Sequence, residues 1–204
     1  MRRGILGGTF DPPHMAHLFA GEAAYRDLGL DVVTFIPAGA PWQKAGRIVS
    51  EPHHRVAMTR LATEPAGYFE VDEREVARNG WTFTVDTLAS YPVDETLLLV
   101  VGADTAGKLR TWHRADDVIA RAEIAVVPRP GIDRTAVEEE LRGTDHVWLD
   151  TPEIDLSGTM LRRHAGEGRS LRFLVPDPVW RYVEEHGLYR RSGTTGVPAE
   201  PVNP

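Results

Sequence analysis

Near the start of the chain stands Ile5-Leu6-Gly7-Gly8-Thr9-Phe10-Asp11-Pro12-Pro13-His14-Met15-Ala16-His17. A short apolar strand runs into two glycines, then two prolines, then two histidines three positions apart. A loop that leaves the first strand lies at that strand's carboxyl end, where open α/β sheets bind ligands. Gly7 and Gly8 let the backbone come close to a ligand, and Pro12 and Pro13 stiffen the approach to a helix expected to begin near His14. Amides at such a helix start attract phosphate, and His14 and His17 would project from one face, able to grip one anion together. Metal ligation, with His53 and His54 completing a site, is the rival reading, but no carboxylate stands at a recognisable ligand spacing.

Further apolar runs of strand length follow at Val32 to Ile36, Leu97 to Val101, Ile124 to Val127 and Val147 to Leu149. Continuous apolar strands with helices between them predict a parallel sheet covered on both faces, so the class is α/β. Helical spacing runs from Leu18 to Leu28, ended by Gly29, and from Arg55 to Ala62. Asp177 before Pro178 reads as an N-cap for a helix over Val179 to His186, closed by Gly187. One domain over 1–190 accounts for these elements, and 191–204, rich in Gly, Pro and Thr, is expected to be a disordered tail.

With 23 Lys and Arg against 30 Asp and Glu, the net charge is −7, which repels nucleic acid and anionic membranes. A phosphate-bearing ligand therefore needs a local basic pocket. The absence of cysteine excludes disulfides, thiol nucleophiles and Cys-ligated metals. Met1 to Gly8 lacks the apolar stretch of a signal peptide, and Leu97 to Val101 is too short to cross a bilayer. The expectation is a soluble cytoplasmic protein without membrane or nucleic-acid partners. A homo-oligomer stays open.

Two later segments add chemistry. Asp155-Leu156-Ser157-Gly158-Thr159-Met160-Leu161-Arg162 reads as a loop entering a helix, with Ser157 or Thr159 as its cap and Arg162 on the same side about a turn later. Gly102 to Leu109 almost spells a Walker A phosphate loop, but Leu109 cannot supply the magnesium-binding hydroxyl and Asp104 would set a negative charge among phosphates.

Together these segments resemble the HxGH nucleotidyltransferase superfamily, with Ala16 in place of the glycine between the histidines. Ser157 to Arg162 resembles its SSTxxR signature, with Gly158 for the second serine. Within the superfamily, Thr84-Val85-Asp86-Thr87-Leu88, the GxDxxxxLxxW pattern from Gly102 to Trp112, and the stretch from Ser170 to Tyr189 resemble nicotinate mononucleotide adenylyltransferases. The likeness implies a Rossmann-like fold of the nucleotidyltransferase type and transfer of AMP from ATP to nicotinate mononucleotide, with Mg2+ accompanying ATP. It implies ATP contacts at Gly7, Gly8, Thr9, Phe10, His14, His17, Asp104, Ser157, Thr159 and Arg162, of which His14, His17 and Arg162 are catalytic. It also implies acceptor contacts at Lys44, Thr84, Trp112 and His113, with a solvated loop lysine as a close second reading of Lys44. Another phosphorylated acceptor, or a non-catalytic nucleotide-binding regulator of the same fold, are the alternatives.

Overall fold

A computed structural model describes residues 1–41, 49–78 and 80–190. Trp42, Gln43 and Lys44, and the stretch 191–204, lie outside the described residues. The strands are β1 (Arg2–Gly8), β2 (Val32–Pro37), β3 (Ala40–Pro41), β4 (Phe69–Val71), β5 (Trp81–Thr82), β6 (Thr96–Gly102), β7 (Ala122–Val127) and β8 (His146–Trp148). The helices are α1 (Met15–Leu28), α2 (Pro52–Thr63), α3 (Thr84–Ala89), α4 (Ala103–Ala106), α5 (Ala115–Arg121), α6 (Arg134–Glu140), α7 (Gly158–Gly166) and α8 (Asp177–Glu185).

Six strands form one parallel sheet in the order β4-β2-β1-β6-β7-β8, and β3 pairs with β5 beside it. The chain winds outward from β1 through β2 to β4, and the other way from β6 through β7 to β8. The strand order therefore reverses between β1 and β6, and the crevice beyond their carboxyl ends is where such sheets take ligands. The sequence expectation of an α/β parallel sheet holds.

Alternation along β6 explains why its run is apolar throughout. Leu97, Leu99 and Val101 face a core shared with Val85 and Leu88 of α3, Val118 of α5 and Val137 of α6. Leu98 and Val100 face the opposite core, shared with Ala20, Ala23 and Ala24 of α1. Both faces are covered, so neither set can be polar. A third cluster joins Met58 and Ala62 of α2 to Leu161 of α7 and to Val179 and Val183 of α8, and so fixes the C-terminal helices onto the domain. Among the described residues, no helix is long and apolar enough to cross a membrane.

Some boundaries differ from the sequence expectation. Asp177 is the first residue of α8 rather than its cap, with Pro176 preceding it, because the Asp177 carboxylate pairs with Arg181 one turn on at 2.8 Å. The strand β4 had no apolar run to announce it, since Glu70 interrupts Phe69 and Val71. The last strand ends at Trp148, one residue earlier than its apolar run.

The mouth of the sheet is held by Arg55, which is buried in α2. Its guanidinium donates to the carbonyls of Thr9 at 3.0 Å, Ala38 at 2.6 Å, Gly39 at 3.3 Å and Ser50 at 3.1 Å. One side chain thus ties the loop after β1, the loop after β2 and the entry to α2. A lysine has no planar fork to reach all four carbonyls, and each one left unpaired costs desolvation free energy. Arg55→Lys should therefore lower stability by about 3 kcal/mol in denaturant unfolding, whereas Arg60→Ala, which breaks only an exposed pair with Glu73, should cost under about 1 kcal/mol. Equal losses in the two variants would refute the clamp.

Candidate nucleotide-binding site

The loop from Gly7 delivers His14 as the residue preceding α1, in extended conformation. The His14 amide donates to Nδ1 of His17 at 3.1 Å, and the His17 amide donates to the carbonyl of His14 at 2.9 Å. These bonds stack the two imidazoles at 3.7 Å between centroids, with the edge of Phe10 against His17 at 4.9 Å. With Nδ1 of His17 accepting, Nε2 is the ring nitrogen that carries the proton. Ala16 is buried between them and lines the wider cavity.

Opposite the histidines, Ser157 caps α7, its hydroxyl accepting from the Met160 amide at 3.3 Å. Arg162 donates to the backbone carbonyl of Asp11 at 2.7 Å and to the hydroxyl of Thr159 at 3.3 Å. A side chain at Gly158 would stand 3.0 Å from both the Arg162 guanidinium and the Asp11 carbonyl. The departure from serine at this position thus gives Arg162 room to lie across the helix start. Together Asp11, His14, His17, Ser157, Thr159 and Arg162 enclose a lobe of about 180 Å³.

A second lobe of about 360 Å³ opens on the other side of the same loop, and Thr9 and His17 line both. Gly7, Gly8, Asp104, Thr84, Trp112 and His113 all border it. Thr84 is the first residue of α3, Trp112 packs half-buried against the core, and the His113 ring lies 4.4 Å from that of Phe83. Leu109 is buried in the core, which removes the last Walker-like position from any contact with ligand. His53 and His54 stay apart from His14 and His17: Nδ1 of His54 bonds to the Tyr182 hydroxyl at 2.9 Å, and its ring faces His186. Among the described residues, no group of three His, Asp or Glu could hold a metal ion.

Comparison with known proteins adds to this geometry. Residues 5–164 match the cytidylyltransferase-like family model. A protein of Thermoanaerobacter sp. named "probable nicotinate-nucleotide adenylyltransferase" is 35% identical over 97% of this chain and 98% of its own. One of the same name from Roseiflexus sp. is 40% identical over 92% of this chain and 97% of its own. The chain belongs to the nicotinate-nucleotide adenylyltransferase family. A solved structure of Plasmodium falciparum nicotinic acid mononucleotide adenylyltransferase with NaAD superposes at a TM-score of 0.78, covering 92% of this chain and 97% of that one. At 14% identity, that likeness speaks for the adenylyltransferase fold.

Three residues that line the adenylyltransferase cavity were not evident in the sequence. Asp11 is wholly buried, its carboxylate accepting from the Tyr189 hydroxyl at 2.7 Å and from the Ser50 amide at 3.1 Å. Burial, then the charge of Asp11, pushes the Tyr189 phenol well above its ordinary pKa. Glu75 borders the larger lobe and accepts from the Thr87 hydroxyl at 2.7 Å, and burial raises its pKa. Arg129 borders the same lobe just past β7. Its position beyond a strand's carboxyl end was the one signal available; Asp11 and Glu75 take their places from partners remote in sequence.

His14 is 2% exposed, its Nδ1 has no hydrogen-bond partner among the described residues, and its pKa is lowered to about 3. Burial is the main cause and the charge of Arg129 the second. The expected joint grip on an anion therefore changes in kind: His14 is neutral at physiological pH and can offer a ligand hydrogen bonding but no charge. The folded state refuses a proton that the unfolded chain accepts near pH 6.5, so this group's stability contribution falls as pH drops through 6.5 toward 3. Between pH 7 and 5 the loss from His14 should be roughly 2 kcal/mol. His14→Gln should flatten the stability profile by that amount in urea titrations at the two pH values, and parallel profiles would show that His14 titrates normally.

Proposed function

We propose that this protein transfers the adenylyl group of ATP to nicotinate mononucleotide, forming nicotinate adenine dinucleotide and pyrophosphate. The observation that carries the reading is the pair of lobes meeting at Thr9 and His17, one lined by hydroxyls and a guanidinium, the other by an aromatic wall and a helix start. A triphosphate in the small lobe and two nucleosides in the large one bring the reacting phosphates to the junction. An oxygen of the acceptor's 5′-phosphate then bonds to the α-phosphorus of ATP. The bond from that phosphorus to the bridging oxygen breaks, and its electron pair leaves with pyrophosphate.

Both reactants are anions, so rate depends on positioning and on groups that stabilise shifting charge. In this reading Nε2–H of His17 donates at the α-phosphate, and His14 holds His17 in register through the bond from its amide. Arg162, Ser157 and Thr159 receive the leaving pyrophosphate, and the backbone from Gly7 to Phe10 passes beneath the phosphates. Asp104, which is largely exposed at the cavity edge, accepts from ribose hydroxyls. Lys44 joins the acceptor's phosphate. The described residues suit a magnesium ion carried in by ATP rather than held by protein, since both oxygens of the buried Asp11 already accept protein hydrogen bonds. When bound, the ion supplies neutralisation of phosphate charge. An ATP-consuming enzyme of this kind works in the cytoplasm.

Acceptor choice rests on Thr84, whose amide and hydroxyl stand at the start of α3, and on Trp112, whose ring stacks on the pyridine. With the amide of His113 they offer hydrogen-bond donors that suit a carboxylate. A carboxamide turns its own NH₂ toward some of them and leaves donors unpaired. Mixing protein, ATP and Mg2+ with nicotinate mononucleotide should release pyrophosphate, and catalytic efficiency with the amide mononucleotide should be lower by at least about a hundredfold. No pyrophosphate would end the reading, and equal efficiency would leave adenylyl transfer standing while removing the acid-selective pocket.

Two substitutions test the phosphate lobe. His17→Ala should lower kcat about a hundredfold or more with little change in the KM of the acceptor. Arg162→Lys keeps the charge but loses the planar fork, so the KM for ATP should rise. Steady-state kinetics with both substrates varied decides each case: an unchanged kcat in the first, or an unchanged KM for ATP in the second, removes that residue from its role.

A further inference from the structure

Arg129 follows β7 by two residues and lines the larger lobe beside Thr9, His17 and Asp104. Its side chain is 27% exposed. Its nearest charged partner among the described residues is Asp104, whose Oδ1 lies 3.8 Å from Nε, too far for a hydrogen bond. No described residue accepts a hydrogen bond from it. The contrast with the other two guanidiniums at this end of the sheet is sharp. Arg55 is spent on four carbonyls, and Arg162 on the Asp11 carbonyl and the Thr159 hydroxyl. A guanidinium carries five N–H donors, and on this partly exposed cavity wall those of Arg129 are held by water rather than by protein, so a ligand can take them without breaking a protein hydrogen bond.

The surroundings say what that ligand is. A side chain at Gly102 would come within 2.6 Å of the Asp104 carboxylate and 3.0 Å of Nε of Arg129, so the pair lies across a bare strand end. The charge of Arg129 is felt at His14, which places it within electrostatic reach of the junction between the lobes. At that junction His14 is uncharged, and Arg162 is committed to the Asp11 carbonyl and the Thr159 hydroxyl in the smaller lobe. The protein as a whole carries −7, so two anionic substrates can meet there only if a cation is close by.

We propose that Arg129 is a further catalytic residue, which leaves Asp104 when ribose hydroxyls take that carboxylate and then closes its donor fork on the phosphate being transferred. The proposal rests on the adenylyl-transfer reading. Arg129 forms no covalent bond and moves no proton. It stabilises the charge that builds on the non-bridging oxygens of the α-phosphate while the new P–O bond forms and the old one breaks. Loose pairing with Asp104 is what such a role needs, since a residue locked by short bonds could not be released by the nucleoside.

The test compares equilibrium binding of AMP and adenosine by calorimetry, because the two differ in the phosphate that Arg129 would hold. Wild type should bind AMP more tightly, and Arg129→Met should cut that advantage about tenfold or more while adenosine binding stays within about twofold. Arg129→Lys should fall between, and Asp104→Asn should weaken both ligands alike. In turnover, Arg129→Met should lower kcat about a hundredfold, and by the same factor in an Asp104→Asn background. An undiminished preference for AMP, or a loss of kcat that vanishes once Asp104 is neutral, would mean that Arg129 only braces Asp104 and would overturn the proposal. Wild-type protein that binds AMP but makes no dinucleotide would instead sink the functional reading, leaving the AMP comparison to decide Arg129 alone.

Discussion

Arg55 is a buried cation whose hydrogen bonds all go to backbone carbonyls. Burial lowers its pKa, so the charge is retained at a cost that only a full set of acceptors can offset. Those acceptors come from loops after β1 and β2 and from the entry to α2, three segments with no secondary structure of their own to align them. The glycine turn can approach a phosphate because its far side is already pinned. His14 and His17 stand at the end of the turn so fixed, and Asp11, within it, passes the restraint on to Arg162 and Tyr189.

Positive charge at the cavity is distributed unlike what the sequence suggested. Two histidines three positions apart read as a joint grip on an anion, yet burial and Arg129 keep His14 neutral. The pair serves instead as a rigid block, with His14 orienting His17 through its amide. Two arginines border the lobes, Arg162 held by the Asp11 carbonyl and Arg129 loosely paired with Asp104.

Sequence alone was sufficient where the physics is local. The sheet could be read because burial on both faces forces unbroken apolar runs such as Leu97 to Val101, and Gly29 could be read as a helix stop because it sits in the left-handed region at φ 58°. The glycine turn was likewise legible, and the cap of α7 was narrowed to Ser157 or Thr159, of which the structure selects Ser157. The strand β4 was not, being three residues long with a glutamate in its centre. Arg55, Asp11, Glu75 and Arg129 were invisible as site residues for a common reason: each is an ordinary charged residue whose meaning lies in partners that the fold brings from elsewhere. Thr84, Trp112 and His113, located by likeness of pattern, do share one wall of the cavity.

The bond between Tyr189 and Asp11 spans 178 positions. Translation makes this turn well before the phenol that completes its hydrogen bonding. At ribosomal speeds of ~5–20 residues per second, a growing chain carries the turn for on the order of ten to thirty seconds before that partner arrives. Through that interval water takes the place of the phenol at Oδ1 of Asp11. The hydrogen bond at Asp11 is thus completed only once the chain beyond α8 has been made.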